Sequence, residues 1–236
     1  MKRLVLSVIA LLICYFSLAQ ESSHTFRTGD QSLCFMPTAY TMPELNVSLT
    51  SYGLLVYQLE GTIIDRTQIG FATVFPYMPE IVKETGTFGI KQNYYRRDNF
   101  ESAAFAIYTP SIKFATFGNV ISYSSDKFST HLAGGCIFLK DLVIEGDDVL
   151  NDSENENFIF MLGVLYDYSE SFALYAEAIT LHLNADDFDL TAVINGGIRA
   201  RSQHFSIDLC FLCPYSNDED IQGFASFPFL KGSFRF

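Results

Sequence analysis

Apolar and polar residues alternate with a period of two along most of this chain, and no stretch holds a convincing 3.6-residue period. In FIFMLGVLYDY (158–168) one face carries Phe158, Phe160, Leu162, Val164, Tyr166 and Tyr168, and the other Ile159, Met161, Gly163, Leu165 and Asp167. The first face is apolar throughout with rings at both ends, the pattern of a strand that turns one side to hydrocarbon and sets aromatics at the two interfaces. FALYAEAITLHL follows after only Ser169, Glu170 and Ser171. A tight turn there pairs Tyr168 with Phe172, keeps the apolar faces together and puts Glu177 opposite Gly163, large beside small in a narrow barrel interior. DLTAVINGGIRARSQHFSIDLCFLC (189–213) reads as a second hairpin turning at Ser202 and Gln203. It sets Ala200 against Phe205, Ile198 against Ile207 and Ile194 against Phe211, and leaves Asn195, Arg199, Ser206 and Asp208 on the other side.

Connection lengths carry the topology. Counted back from the C-terminus, 214–223, 184–189 and 141–156 are long while 202–203 and 169–171 are short, and such barrels have long external loops and short periplasmic turns. The long connections hold the acid: residues 141–156 contain seven carboxylates and no base, 184–189 three and 217–220 three. Further strands are predicted near 128–140, 112–123, 100–108, 85–95, 63–75 and 46–59, with PYMPEIVKE as an external loop. That makes eleven with the last. A chain delivered from the periplasm needs an even count, so a twelfth is placed at 31–42, where Pro37, lacking a ladder donor, suits a first strand or a segment tucked in the lumen. The predicted fold is all-β, a transmembrane antiparallel up-and-down barrel of about twelve strands, with ten as the alternative.

Composition narrows the setting. Lys2 and Arg3 precede an apolar run from Leu4 to Leu18 and a small residue, Ala19, so residues 1–20 read as a secretory signal cleaved near Ala19. Ile13 is too bulky before Cys14 for lipidation, and Cys14 lies inside the apolar run. The remaining 236 − 20 = 216 residues, 21–236, form one domain. No later stretch is apolar for the length of a membrane helix, which leaves a closed barrel as the way to span a bilayer. Loss of Lys2 and Arg3 takes the net charge from −12 to −14, which argues against nucleic acid as a partner. Of the remaining cysteines, Cys34, Cys136, Cys210 and Cys213, the last two stand on opposite faces of a strand. Zinc or a simple redox pair is therefore disfavoured, and the cysteines read as small buried apolar residues.

The signal, the alternating strands, the acidic long loops and the terminal aromatic together resemble outer-membrane β-barrel proteins of diderm bacteria, over the whole mature chain. In that family a glycine followed by alternating hydrophobic residues and a final aromatic serves as an insertion signal. Gly232, Phe234 and Phe236 occupy such positions, with Leu230 on the same face, although the usual spacing after the glycine is one residue longer. The resemblance implies an outer-membrane location and, as partners, outer-membrane lipid and lipopolysaccharide and the barrel-assembly machinery. MPTAYTMPELNVSLTSYGL and IIDRTQIGFATVFPYMP are loosely similar to small secreted barrels grouped near a phenol-degradation accessory family, which implies no activity.

Candidate chemistry lies inside. Arg199 and Asp208 come out as diagonal neighbours on adjacent strands, with Glu177 across from Arg199 on its other side at similar height. A lumen cluster of Glu177, Arg199 and Asp208 follows, read as an internal ion-pair network in which each charge needs its partner, or as a selectivity ring. His131 with Ser129 could begin a nucleophilic dyad of an outer-membrane hydrolase, but GxSxG, HExxH and phosphate-loop motifs are absent, and no cofactor is expected. Asp147, Asp148 and Asp152 are oxygen ligands without a calcium-loop spacing. Ile159, Met161, Leu165, Ile179 and Leu181 make the lumen apolar, which favours a filled interior or small hydrophobic solutes. The expectation is a narrow channel, a binding barrel or a structural membrane protein; the alternatives are a hydrolase and a soluble secreted β-sandwich or barrel.

Overall fold

Side chains that alternate between hydrocarbon and a packed interior leave a sheet no stable free edge in a bilayer, so its strands must close on themselves. The computed structural model, which describes residues 26–76, 78–139, 157–182, 190–216 and 227–236, shows that closure. Its strands are β1 (Val47–Tyr52), β2 (Val56–Ile64), β3 (Thr67–Val74), β4 (Thr87–Arg97), β5 (Phe100–Thr109), β6 (Phe114–Ser124), β7 (Phe128–Leu139), β8 (Asn157–Asp167), β9 (Phe172–His182), β10 (Leu190–Arg201), β11 (Phe205–Ser216) and β12 (Phe227–Arg235). Each pairs antiparallel with its chain neighbours, and β12 returns to β1.

The count of twelve matches the expectation, but two elements differ. The stretch 46–59 turns at Gly53 and Leu54, both with φ of 61°, and divides between β1 and β2. Residues 31–42 are not a wall strand; they lie inside the barrel. The proline-containing loop before β4 includes a short helix, α1 (Pro79–Thr85), with proline in its first turn.

The β8/β9 register is the predicted one, Asp167 against Ala173 and Gly163 against Glu177. The β10/β11 register is shifted by two residues: Ala200 faces Ile207, Ile198 faces Leu209 and Ile194 faces Cys213. The turn is wider than two residues, with the Ser202 N–H donating to the Phe205 carbonyl at 2.7 Å. A two-residue slip preserves the pleat, so the predicted faces survive it.

The first described residues and the C-terminus meet at the end of the barrel that carries the short turns, where the Arg235 guanidinium lies 5.6 Å from the Phe26 ring centre and the Phe236 N–H donates to the Val47 carbonyl at 2.9 Å. The outer surface is an apolar band, with Leu49, Ile90, Leu132, Leu162, Ile198 and Leu209 exposed between aromatic girdles. Phe88, Tyr108, Phe138 and Phe160 stand towards one rim; Phe100, Tyr166, Phe172 and Phe234 stand towards the other. The buried core is the lumen.

Candidate functional site

The lumen is occupied by residues 27–41, folded as a narrow hairpin. Its legs are tied by the Thr38 N–H to the Gln31 carbonyl (3.1 Å), the Leu33 N–H to the Met36 carbonyl (2.9 Å) and a bridge between Ser32 and Pro37. Pro37 is tolerated because the hairpin needs no continuous ladder there. Gly29 takes a φ of 94°, and a Cβ on it would fall 2.7 Å from Ser206 Oγ, so both conformation and space select glycine. The tip brings Leu33, Cys34 and Met36 against Ala103, Phe105, Met161, Leu165 and Tyr175 of the wall. Gly163 makes room for it: a Cβ there would meet Leu33 Cδ1 at 2.3 Å.

A hairpin without neighbouring strands carries backbone donors and acceptors into a dry interior, where each unpaired group costs about 1–3 kcal/mol. The wall supplies partners sorted by charge. Arg199 donates to the carbonyls of Gly29 (2.8 Å), Ser32 (3.0 Å) and Leu33 (3.3 Å). Lys231 donates to the Leu33 and Cys34 carbonyls and to Ser32 Oγ, and Lys91 to the carbonyls of Gln31, Thr38 and Tyr40. On the donor side of the tip, Glu177 accepts the N–H groups of Phe35 (3.0 Å) and Met36 (3.1 Å). Asn93 Nδ2 donates to the Ala39 carbonyl and to Glu101, which also pairs with Arg96 at 3.2 Å. At the base, Arg201 pairs with Asp30 and Asp167, and Arg27 reaches Asp167 at 3.3 Å.

Arg199 and Asp208 sit directly opposite each other on β10 and β11 and form a fully buried two-point ion pair, Nε to Oδ1 at 2.8 Å and Nη2 to Oδ2 at 2.7 Å. Glu177 lies on the same inner face but apart from them: β9 pairs Ala173 with Arg199, and Glu177 with Asn195, whose Nδ2 donates to it at 2.8 Å. Glu177 and Arg199 therefore each reach the hairpin, Asp208 holds Arg199, and the three do not form one cluster. Lys91, Asn93 and Asp30 escaped the sequence reading; the signal was the lysine and asparagine on one side of FGIKQN. Gly232, Phe234 and Phe236 lie on β12 and its end. Phe234 and Phe236 point outward with rings 4.9 Å apart. Residues 1–25, with the expected signal and cleavage site, the acidic segments 141–156, 184–189 and 217–220, and Asp147, Asp148 and Asp152 lie outside the described residues.

His131 is buried, with Nδ1 2.8 Å from Ser122 Oγ and Nε2 3.0 Å from Ser129 Oγ. Ser122 Oγ also accepts the Ala39 N–H at 2.9 Å, which ties the histidine to the hairpin. A serine–histidine nucleophile is normally oriented by a carboxylate at the second ring nitrogen. Here serines stand at both. The adjoining cavity, lined by Asp30, Tyr40, Ser129, His131, Asp167 and Arg201, holds about 30 Å³, room for about two waters.

No family model and no curated protein sequence matches the chain. Among solved structures it is similar to an outer membrane channel from Pseudomonas putida F1, at 11% identity and a TM-score of 0.52 over 90% of this chain and 100% of that one. It is also similar to the NanC porin (8%, 0.48, 81% and 97%) and to OccAB4 of Acinetobacter baumannii (9%, 0.41, 81% and 56%). What is shared is the fold, the closed antiparallel barrel of outer-membrane proteins.

Proposed function

We propose that the protein is an outer-membrane channel for small solutes, held closed by its own N-terminal hairpin. The observation that carries this reading is that four of the wall's buried charges, Lys91, Glu177, Arg199 and Lys231, are turned to the hairpin backbone. A barrel that only needed filling could use apolar side chains throughout, because well-packed hydrophobic residues commonly match or exceed a buried ion pair in stability. A charged, hydrogen-bonded seat instead holds one segment in one register and can be re-solvated when that segment leaves. The solutes are small and apolar or amphipathic: Ile107, Ile159, Ile179 and Phe229 stay partly exposed around the core, in the half of the lumen away from the C-terminus.

Gly232, Phe234 and Phe236 are proposed as the features read by the assembly machinery, and lipid and lipopolysaccharide as what covers the outer band. The hydrolase reading draws little support from a histidine held between two serines.

The test is single-channel recording in planar bilayers on the wild type and on a variant lacking residues 27–41. The wild type is expected to open rarely and the deletion variant to conduct steadily. A deletion variant that folds, by heat-modifiable migration, and stays as silent as the wild type would remove the channel reading.

A further inference from the structure

Cys34 at the hairpin tip and Cys210 on the inner face of β11 are both fully buried, 176 residues apart in sequence, and their sulfurs lie 2.9 Å from each other. That is closer than two unbonded sulfurs ordinarily rest, and short of the roughly 2.05 Å of a disulfide. Cys136 and Cys213 stand on the opposite faces of β7 and β11, so among the described cysteines these two alone share the lumen. The surroundings suit a bond. The tip is held from both sides, by Lys231 on the Cys34 carbonyl and by Glu177 on the next two N–H groups, which fixes the Cys34 backbone beside the wall.

We propose that Cys34 and Cys210 form a disulfide that staples the hairpin tip to the barrel wall. The reaction removes two protons and two electrons from the two thiols, and the acceptor is the disulfide of a periplasmic thiol–disulfide oxidoreductase, which leaves as a dithiol. One cysteine first attacks the carrier to give a mixed disulfide; the other then displaces the carrier thiolate. With both sulfurs inaccessible in the closed barrel, exchange takes place before the hairpin is seated, in the oxidising compartment to which the signal directs the chain. Once the bond is made, burial of both sulfurs hinders attack by outside thiolates, so the seated pair exchanges only slowly. The consequence for gating, a hairpin that leaves the lumen only after reduction, rests on the channel reading; the bond itself does not.

The test uses full-length protein extracted from membranes into iodoacetamide without reductant, then denatured, digested and mapped by mass spectrometry. The expected result is one species joining the Cys34 and Cys210 peptides, which reductant separates, with Cys136 alkylated. Recovery of both Cys34 and Cys210 as alkylated thiols, or of Cys210 bonded to Cys213, overturns the proposal. Recordings with and without dithiothreitol form a separate arm: openings are expected to rise in the wild type and to be insensitive to reductant in Cys34→Ser. A mapped disulfide with reductant-insensitive current would refute its gating role and leave the staple standing.

Discussion

Glu177 on β9 and Met36 at the hairpin tip stand 141 residues apart in sequence, yet the Glu177 carboxylate accepts the Met36 N–H at 3.1 Å while also accepting the Phe35 N–H and the Asn195 amide. One acidic side chain thus satisfies two backbone donors at the tip of a segment with no sheet of its own.

Replacing Glu177 by Gln keeps the volume but removes one acceptor oxygen and points an N–H₂ at N–H donors. Charged hydrogen bonds of this kind are worth about 1.5–3 kcal/mol, and the loss is expected to fall in that range in urea unfolding in micelles. Channel openings should become more frequent; unchanged stability and current would show that the contact does not hold the hairpin.

Arg199→Ala leaves Asp208 without its cation in a fully buried site, at a cost of about 3–5 kcal/mol. Arg199→Met combined with Asp208→Leu removes both charges and is expected to recover part of that loss. Full recovery is not expected, because the Gly29, Ser32 and Leu33 carbonyls still lose their donor. A double variant as stable and as silent as the wild type would reduce the pair to filling.

Gly163→Ala puts a methyl group 2.3 Å from Leu33 Cδ1 and 2.8 Å from Met36 Sδ. Overpacking of this sort costs about 1–3 kcal/mol, and adding Leu33→Ala should restore much of it. The signature is coupling between the two sites in a double-mutant cycle; simple additivity would mean that the hairpin tip is not against β8.

Leu162 faces outward one residue away, half exposed on the apolar band. Leu162→Arg is expected to lower stability by about 2–4 kcal/mol if that face meets the bilayer interior, against about 0.5 kcal/mol or less on a water-facing surface. Heat-modifiable migration of the purified variant, compared with the wild type, reads the difference.

Period-two alternation alone determined which residues of 158–182 and 189–213 face inward, because a strand's side-chain direction follows from covalent geometry and survives a two-residue slip of register. It therefore placed Arg199, Asp208 and Glu177 on the inner face. It could not set their heights: Glu177 stands four residues along β9 from the partner of Arg199. YGLL offered only one glycine as a sign of the turn that divides β1 from β2, so the even strand count was reached through the wrong segment. Only the tertiary structure decided that 27–41 lies inside. A single hairpin with a proline has no local pattern that distinguishes it from a wall strand. Its position is set by Lys91, Glu177, Arg199 and Lys231, which the chain brings to its backbone groups only once the barrel has closed.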